Sequence, residues 1–97
     1  MSYELAWSDP AKDDLRQILD HISIDNPTAA VKLKKRIDHV VGLAQSLPFA
    51  FRQGRLKGTR EVLATPTYLV IYRVHADLVE IAGIVHTSRD YPRTVLR

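Results

Sequence analysis

The residues best suited to chemistry stand near the C-terminal end of the sequence, in Ile84 to Pro92, "IVHTSRDYP". An apolar run there gives way to His86, Arg89, Asp90 and Tyr91. Histidine and tyrosine can exchange protons near neutral and alkaline pH, and arginine donates paired hydrogen bonds to phosphate oxygens. Arg60 and Arg73 stand on two neighbouring β-like runs. Together with His86, Arg89 and Tyr91 they form the candidate set. In strand alternation, Arg73 shares a side with Leu69 and Ile71, and Glu80, Ala82, Ile84 and His86 share a side if no bulge intervenes. Such a set could grip a phosphate, stack a base on Tyr91, or cleave an RNA phosphodiester through its own 2′-hydroxyl. The ordinary alternatives are a locally hydrogen-bonded His86, an Arg73 paired across the sheet with Glu61 or Glu80, and an Asp90 paired with Arg89 or Arg93.

Three other groups are weaker. His21, His39, His75 and His86 lack metal-ligand spacing, and no cofactor or metal is expected. Asp13 and Asp14 lie early in a helix, where carboxylates favour the positive end of the dipole. Lys32, Lys34, Lys35 and Arg36 form a basic cluster, either a solvated helix face or a landing site for an acidic partner.

The elements that must position these residues follow from periodicity. Tyr3–Trp7 reads as a short strand. "SDPA" then starts a helix, with Ser8 or Asp9 as cap and Pro10 in the first turn, and Leu15, Ile18, Leu19 and Ile22 mark its apolar face. Asn26 and Pro27 start a second helix with a stripe of Ala30, Leu33, Ile37, Val40, Val41 and Ala44. So short a connection predicts an αα-hairpin. Phe49–Gly58 reads as a basic loop carrying Arg52, Arg55 and Lys57. "TREVLA", "YLVIYRV" and "LVEIAGIVH" follow with tight turns, which predicts an antiparallel meander. The expected fold is α+β, order β-α-α-β-β-β, with the αα-hairpin packed on one face of a small antiparallel sheet. Ile18, Leu19, Leu33, Ile37 and Val40 are expected to face apolar sheet residues such as Val70 or Ile71.

The chain has 97 residues, which suits one domain over 1–97. Its hydrophobic fraction of 45% and charged fraction of 26% are those of a soluble globular protein. No apolar run approaches the roughly 20 residues of a membrane span. The opening "MSYELAWSD" does not read as a signal peptide. Cysteine is absent, so disulfides and thiolate metal sites are excluded, in keeping with a cytoplasmic location. The net charge of +3 suits a nucleic acid, a ribosome or an acidic protein partner.

Taken in order, "DPAKDDLRQILDHI", "NPTAAVKLKKRI", "GTREV", "YLVIYRV" and "VEIAGIVHTSRDYP" resemble the RelE/ParE superfamily of toxins from bacterial type II toxin–antitoxin modules, and most closely the ParE branch. The resemblance covers nearly the whole chain. It implies a growth-inhibiting toxin neutralised by a cognate, ParD-like antitoxin whose C-terminal segment wraps it, with Lys32, Lys35 and Arg36 as antitoxin-binding residues. It implies DNA gyrase as the target, met by Arg60, Arg73, His86, Arg89 and Tyr91, with no catalytic residue. The alternatives are a RelE-like ribosome-dependent mRNA endoribonuclease using those same five residues, or an inactive homologue that only binds antitoxin. Against the ribonuclease branch, "TREVLA" keeps Arg60 but has Val62 where a second basic residue is typical. Leu69 likewise stands where that branch carries an arginine. His86 does match a histidine that some ribonuclease relatives use.

Overall fold

A computed structural model describes residues 3–88 of the chain. The element order is β1 (Glu4–Trp7), α1 (Asp9–Asp25), α2 (Pro27–Ser46), β2 (Arg60–Leu63), β3 (Tyr68–His75) and β4 (Leu78–His86). The helix starts follow from their caps. The Ser8 hydroxyl accepts from the Ala11 amide, and the Asn26 side chain accepts from the Ala29 amide, each satisfying an amide that the first turn leaves open. Asn26 closes α1 and opens α2, so one residue makes the hairpin.

The sheet order is β1-β4-β3-β2. The meander β2-β3-β4 is antiparallel, as its short connections predict. The sheet as a whole is mixed, because β1 runs parallel to β4. No tight turn constrains β1: two helices intervene between it and the meander, the kind of long connection a parallel pair requires. The β3–β4 turn places Ala76 at φ 51, in the left-handed region, and Asp77 accepts the Glu4 amide there.

Opposed residues in a sheet share a face, so the register sorts the side chains. Val62, Val70, Tyr72, Val79, Ile81 and Ile84 join Leu33, Ile37, Val40, Val41 and Ala44 in the main core beneath the helices. Ile18 and Leu19 pack at its margin, as their spacing predicts. Leu69, Ile71 and Val85 form a second buried cluster on the opposite face. Val70 is therefore the residue that meets the helices, and Ile71 is not.

One irregularity decides the site. Ile71 is opposed to Gly83 and Tyr72 to Ile81, so Ala82 is the extra residue of a β-bulge. The start of α1 holds the bulge. Ser8 donates through its amide to Ile81 O (3.0 Å) and through its hydroxyl to Ala82 O (3.3 Å). Asp14, only 7% exposed, accepts the Ile84 amide at Oδ2 (3.1 Å). Beyond its place early in α1, this aspartate answers a buried amide 70 positions away.

Candidate functional site

The condition under which His86 would share a side with Glu80 and Ala82 is not met. Before the bulge, Glu80 is opposed to Arg73 on the face away from the helices. After it, Ile84 and His86 are opposed to Val70 and Tyr68, on the helix side. Arg73 and His86 therefore point to opposite faces. Arg60 is opposed to Tyr72, which puts it on the helix side with His86. Four strand positions separate Tyr72 from Tyr68, about 13 Å along β3. The structure thus does not gather Arg60, Arg73 and His86 into one patch. Arg89 and Tyr91 lie outside the described residues.

Each of the three has its own surroundings. The His86 ring stands edge-on to Tyr68, with centroids 5.7 Å apart, and its Nδ1 lies 3.1 Å from the Ser88 hydroxyl. Arg73 takes neither expected acid. Glu80 lies 3.2 Å from His75 Nε2, and Glu61 pairs with Arg52 Nε at 2.7 Å. Arg60 donates through Nη1 to Phe51 O (2.8 Å), and its guanidinium carbon lies 5.0 Å above the Phe49 ring. Its charge reaches the fully buried Tyr72 below it. Burial raises the Tyr72 pKa above the usual 10.0, and the Arg60 charge works against that rise. The Tyr72 hydroxyl donates to Pro48 O at 2.6 Å.

Phe49–Gly58 is more ordered than a plain loop. Gln53 bridges Arg60, Gly54 N donates to Thr59 O (2.7 Å), and Glu61 N donates to Arg52 O (3.1 Å). These bonds form a short ribbon along the start of β2. Thr59 N donates to Leu56 O, and Gly58 at φ 81 takes the third place of that turn, the geometry of a type II turn that favours glycine. The "GRLKGT" stretch carries that turn signal, which a search for regular periods overlooks.

On α2, Lys32 and Lys35 are exposed. Arg36 is partly committed: its Nε donates to Ala64 O (2.8 Å) and ties the helix to the end of β2. Lys34 pairs with Asp38 at 2.6 Å. Beside this face runs a groove of about 450 Å³ with Leu33, Ala64 and Pro66 in its wall and Lys32 and Arg36 at its rim. Among the described residues no three His, Cys, Asp or Glu side chains cluster to hold a metal. No helix among them is long and apolar enough to cross a membrane.

An αα-hairpin on a four-stranded mixed sheet is the architecture of the RelE/ParE toxins. The chromosomal ParDE TA system from P. aeruginosa matches with a TM-score of 0.78 and 26% identity over 88% of this chain and 96% of that one. The toxin–antitoxin complex RelBE2 from Mycobacterium tuberculosis matches in fold, with a TM-score of 0.62 at 19% identity over 89% of this chain and 92% of that one. In sequence, the family described as ParE toxin of type II toxin-antitoxin system, parDE, matches residues 5–91. The putative toxin Y4kP of Sinorhizobium fredii is 35% identical over 92 residues, covering 94% of this chain and 95% of the relative. Toxin RelE2 of Caulobacter vibrioides is 33% identical over 88 residues, covering 89% and 97%. The chain belongs to the ParE toxin family of type II toxin–antitoxin systems.

Proposed function

We propose that this toxin acts in the cytoplasm by binding DNA gyrase rather than by cleaving RNA. The observation that carries this is the β4 bulge, which sets Arg73 and His86 on opposite faces while Arg60 stands about 13 Å of strand from His86. General acid–base cleavage needs its proton donor, its acceptor and its cations within hydrogen-bond reach of one phosphate. The two positions where the ribonuclease branch carries cations also argue for binding. Val62 is buried beneath the helices and Leu69 in the opposite cluster, so both serve the interior. Arg60, Arg73, His86, Arg89 and Tyr91 are then contacts spread over a target surface. A supercoiling assay with purified gyrase, run beside primer extension on cellular mRNA after induction, separates the mechanisms. Loss of supercoiling with intact mRNA is expected. Codon-phased mRNA cleavage that disappears in His86→Ala, with supercoiling untouched, overturns the reading.

The same reading assigns a ParD-like antitoxin. Solved neighbours in fold include toxin–antitoxin complexes, RelBE2 from Mycobacterium tuberculosis and E. coli DinJ-YafQ. Here an acidic, apolar segment would lie along α2, its carboxylates on Lys32, Lys35 and the remaining N–H groups of Arg36, its apolar side chains in the adjacent groove. Lys32→Glu with Lys35→Glu should weaken co-purification with the product of the adjacent reading frame, while both variants keep the wild-type fold. Undiminished recovery of that partner would place the antitoxin elsewhere.

A further inference from the structure

Between Phe49 and the Leu56–Thr59 turn lies a cleft of about 300 Å³, at the end of the sheet away from His86. Its lining includes Phe49, Gln53, Lys57, Thr59 and Arg60, with two cations and no carboxylate. Arg60 brings five N–H donors, and one bond, to Phe51 O, fixes its position. The nearest acid in sequence, Glu61, is turned to the other face of β2 and joined to Arg52. Two positive charges thus face the cleft with no carboxylate in its lining to neutralise them. Phe49 is 60% exposed although it lies beneath a guanidinium and edge-on to Tyr3, so ring surface remains for a second planar group. Gly58 carries no Cβ, and the space beside it is open, so the turn leaves the mouth clear.

We propose that this cleft binds a nucleoside monophosphate, with the phosphate on Arg60 and Lys57 and the base against Phe49. Paired guanidinium donors suit phosphate oxygens, and an aromatic face accepts any base. The volume is at the lower end of small-ligand sites, which fits one nucleotide. The assignment shares Arg60 with the gyrase reading, but Phe49 and Lys57, which that reading does not use, carry its test.

The test is an amide-resonance titration of the full-length chain with adenosine 5′-monophosphate, inorganic phosphate, adenosine and a single-stranded oligonucleotide. The monophosphate should move Phe49, Gln53, Lys57, Gly58 and Arg60 together, and bind about tenfold more tightly than phosphate or adenosine alone. Phe49→Ala should remove about that factor for the monophosphate and leave phosphate unchanged. Arg60 also holds Phe51, so the exposed Lys57→Gln is the safer cation variant, expected to weaken monophosphate and phosphate alike with the fold intact. Three outcomes overturn the proposal: no response at about 10 mM ligand, a concentration well above that of a meaningful site; equal affinity for phosphate and monophosphate, which removes the base subsite; or an oligonucleotide that saturates these residues where the monophosphate does not compete, which makes the cleft part of a strand track.

Discussion

Two regions of the molecule treat buried polar groups in opposite ways. At the seam of α1 and β4, polar atoms beside the bulge are answered by α1. Ser8 takes the carbonyls of Ile81 and Ala82, and Asp14 takes the Ile84 amide. In the ribbon before β2, polar groups are left over. Glu61 is 3% exposed, and its Oε2 has no hydrogen-bond partner, while Arg60 turns its charge toward an open cleft. An unmade hydrogen bond in a buried place costs more than a made one contributes. The seam therefore reads as architecture. The ribbon and the start of β2 keep a buried unpaired acceptor on one face and a charge at an open cleft on the other, which stability alone does not account for.

The largest expected effect breaks the frame on which both regions depend. Ile37 is fully buried between α2 and the sheet. Ile37→Ala should lower unfolding stability by about 2–5 kcal/mol, read from the urea midpoint, and should abolish toxicity by unfolding. A normal midpoint would show that α2 does not carry the core.

Next comes the seam itself. Asp14→Ala leaves the Ile84 amide buried without its carboxylate and should cost about 1–3 kcal/mol. Asp14→Asn keeps an acceptor oxygen and should recover part of that loss. Since the bulge sets the face of His86, the edge-on ring contact with Tyr68 should weaken in Asp14→Ala, visible in the Tyr68 ring resonances. Unchanged stability and unchanged Tyr68 signals would mean that the bulge does not depend on α1.

In the ribbon, a side chain at Gly54 tests how tightly the turn is built. A Cβ there would clash with Thr59 Oγ1 and stand 3.3 Å from Glu61 Oε2. Thr59 is buried, and its hydroxyl donates to Leu56 O at 2.6 Å, so it cannot move without breaking that bond. Gly54→Ala should cost about 1–2 kcal/mol by overpacking. It should loosen the ribbon while leaving the Asp14 seam intact, which hydrogen exchange at Glu61 and Ile84 would distinguish.

The same contrast explains what the sequence made legible. Caps and stripes are local, so Ser8, Pro10, Asn26 and Pro27 mark both helices, and Leu33, Ile37 and Val40 mark their buried face. The meander follows from β-rich runs and short turns. The bulge at Ala82 has no such signal. "LVEIAGIVH" contains a glycine, but the step is fixed by Ser8 and Asp14 reaching in from far along the chain. A two-residue alternation carried through it puts His86 on the face of Arg73 and Glu80 instead of the helix side. The parallel pairing of β1 is hidden for a related reason: the residues of "ELAW" do not encode which strand edge they will find.

The smallest effect comes from Tyr72, which lies between the two regions. Its ring sits in the main core, its hydroxyl bonds to Pro48 O just ahead of the ribbon, and the Arg60 charge reaches it. Burial holds its pKa above the unfolded value near 10.0, with Arg60 opposing. A phenol whose pKa is raised by folding keeps its proton longer in the native state. Its contribution is therefore complete below the unfolded pKa and is lost as pH rises through the folded one. Stability should be insensitive to this group at neutral pH and should fall above about pH 10. Tyr72→Phe removes one neutral hydrogen bond and leaves Pro48 O to find another donor, at a cost of about 1 kcal/mol near neutrality. The variant should lose the alkaline decline attributable to this phenol, so the two stability curves converge at high pH. Arg60→Gln withdraws the opposing charge and should move the Tyr72 titration further upward. Parallel curves for wild type and Tyr72→Phe, or a downward move in Arg60→Gln, would show that burial and Arg60 do not act on this phenol as described.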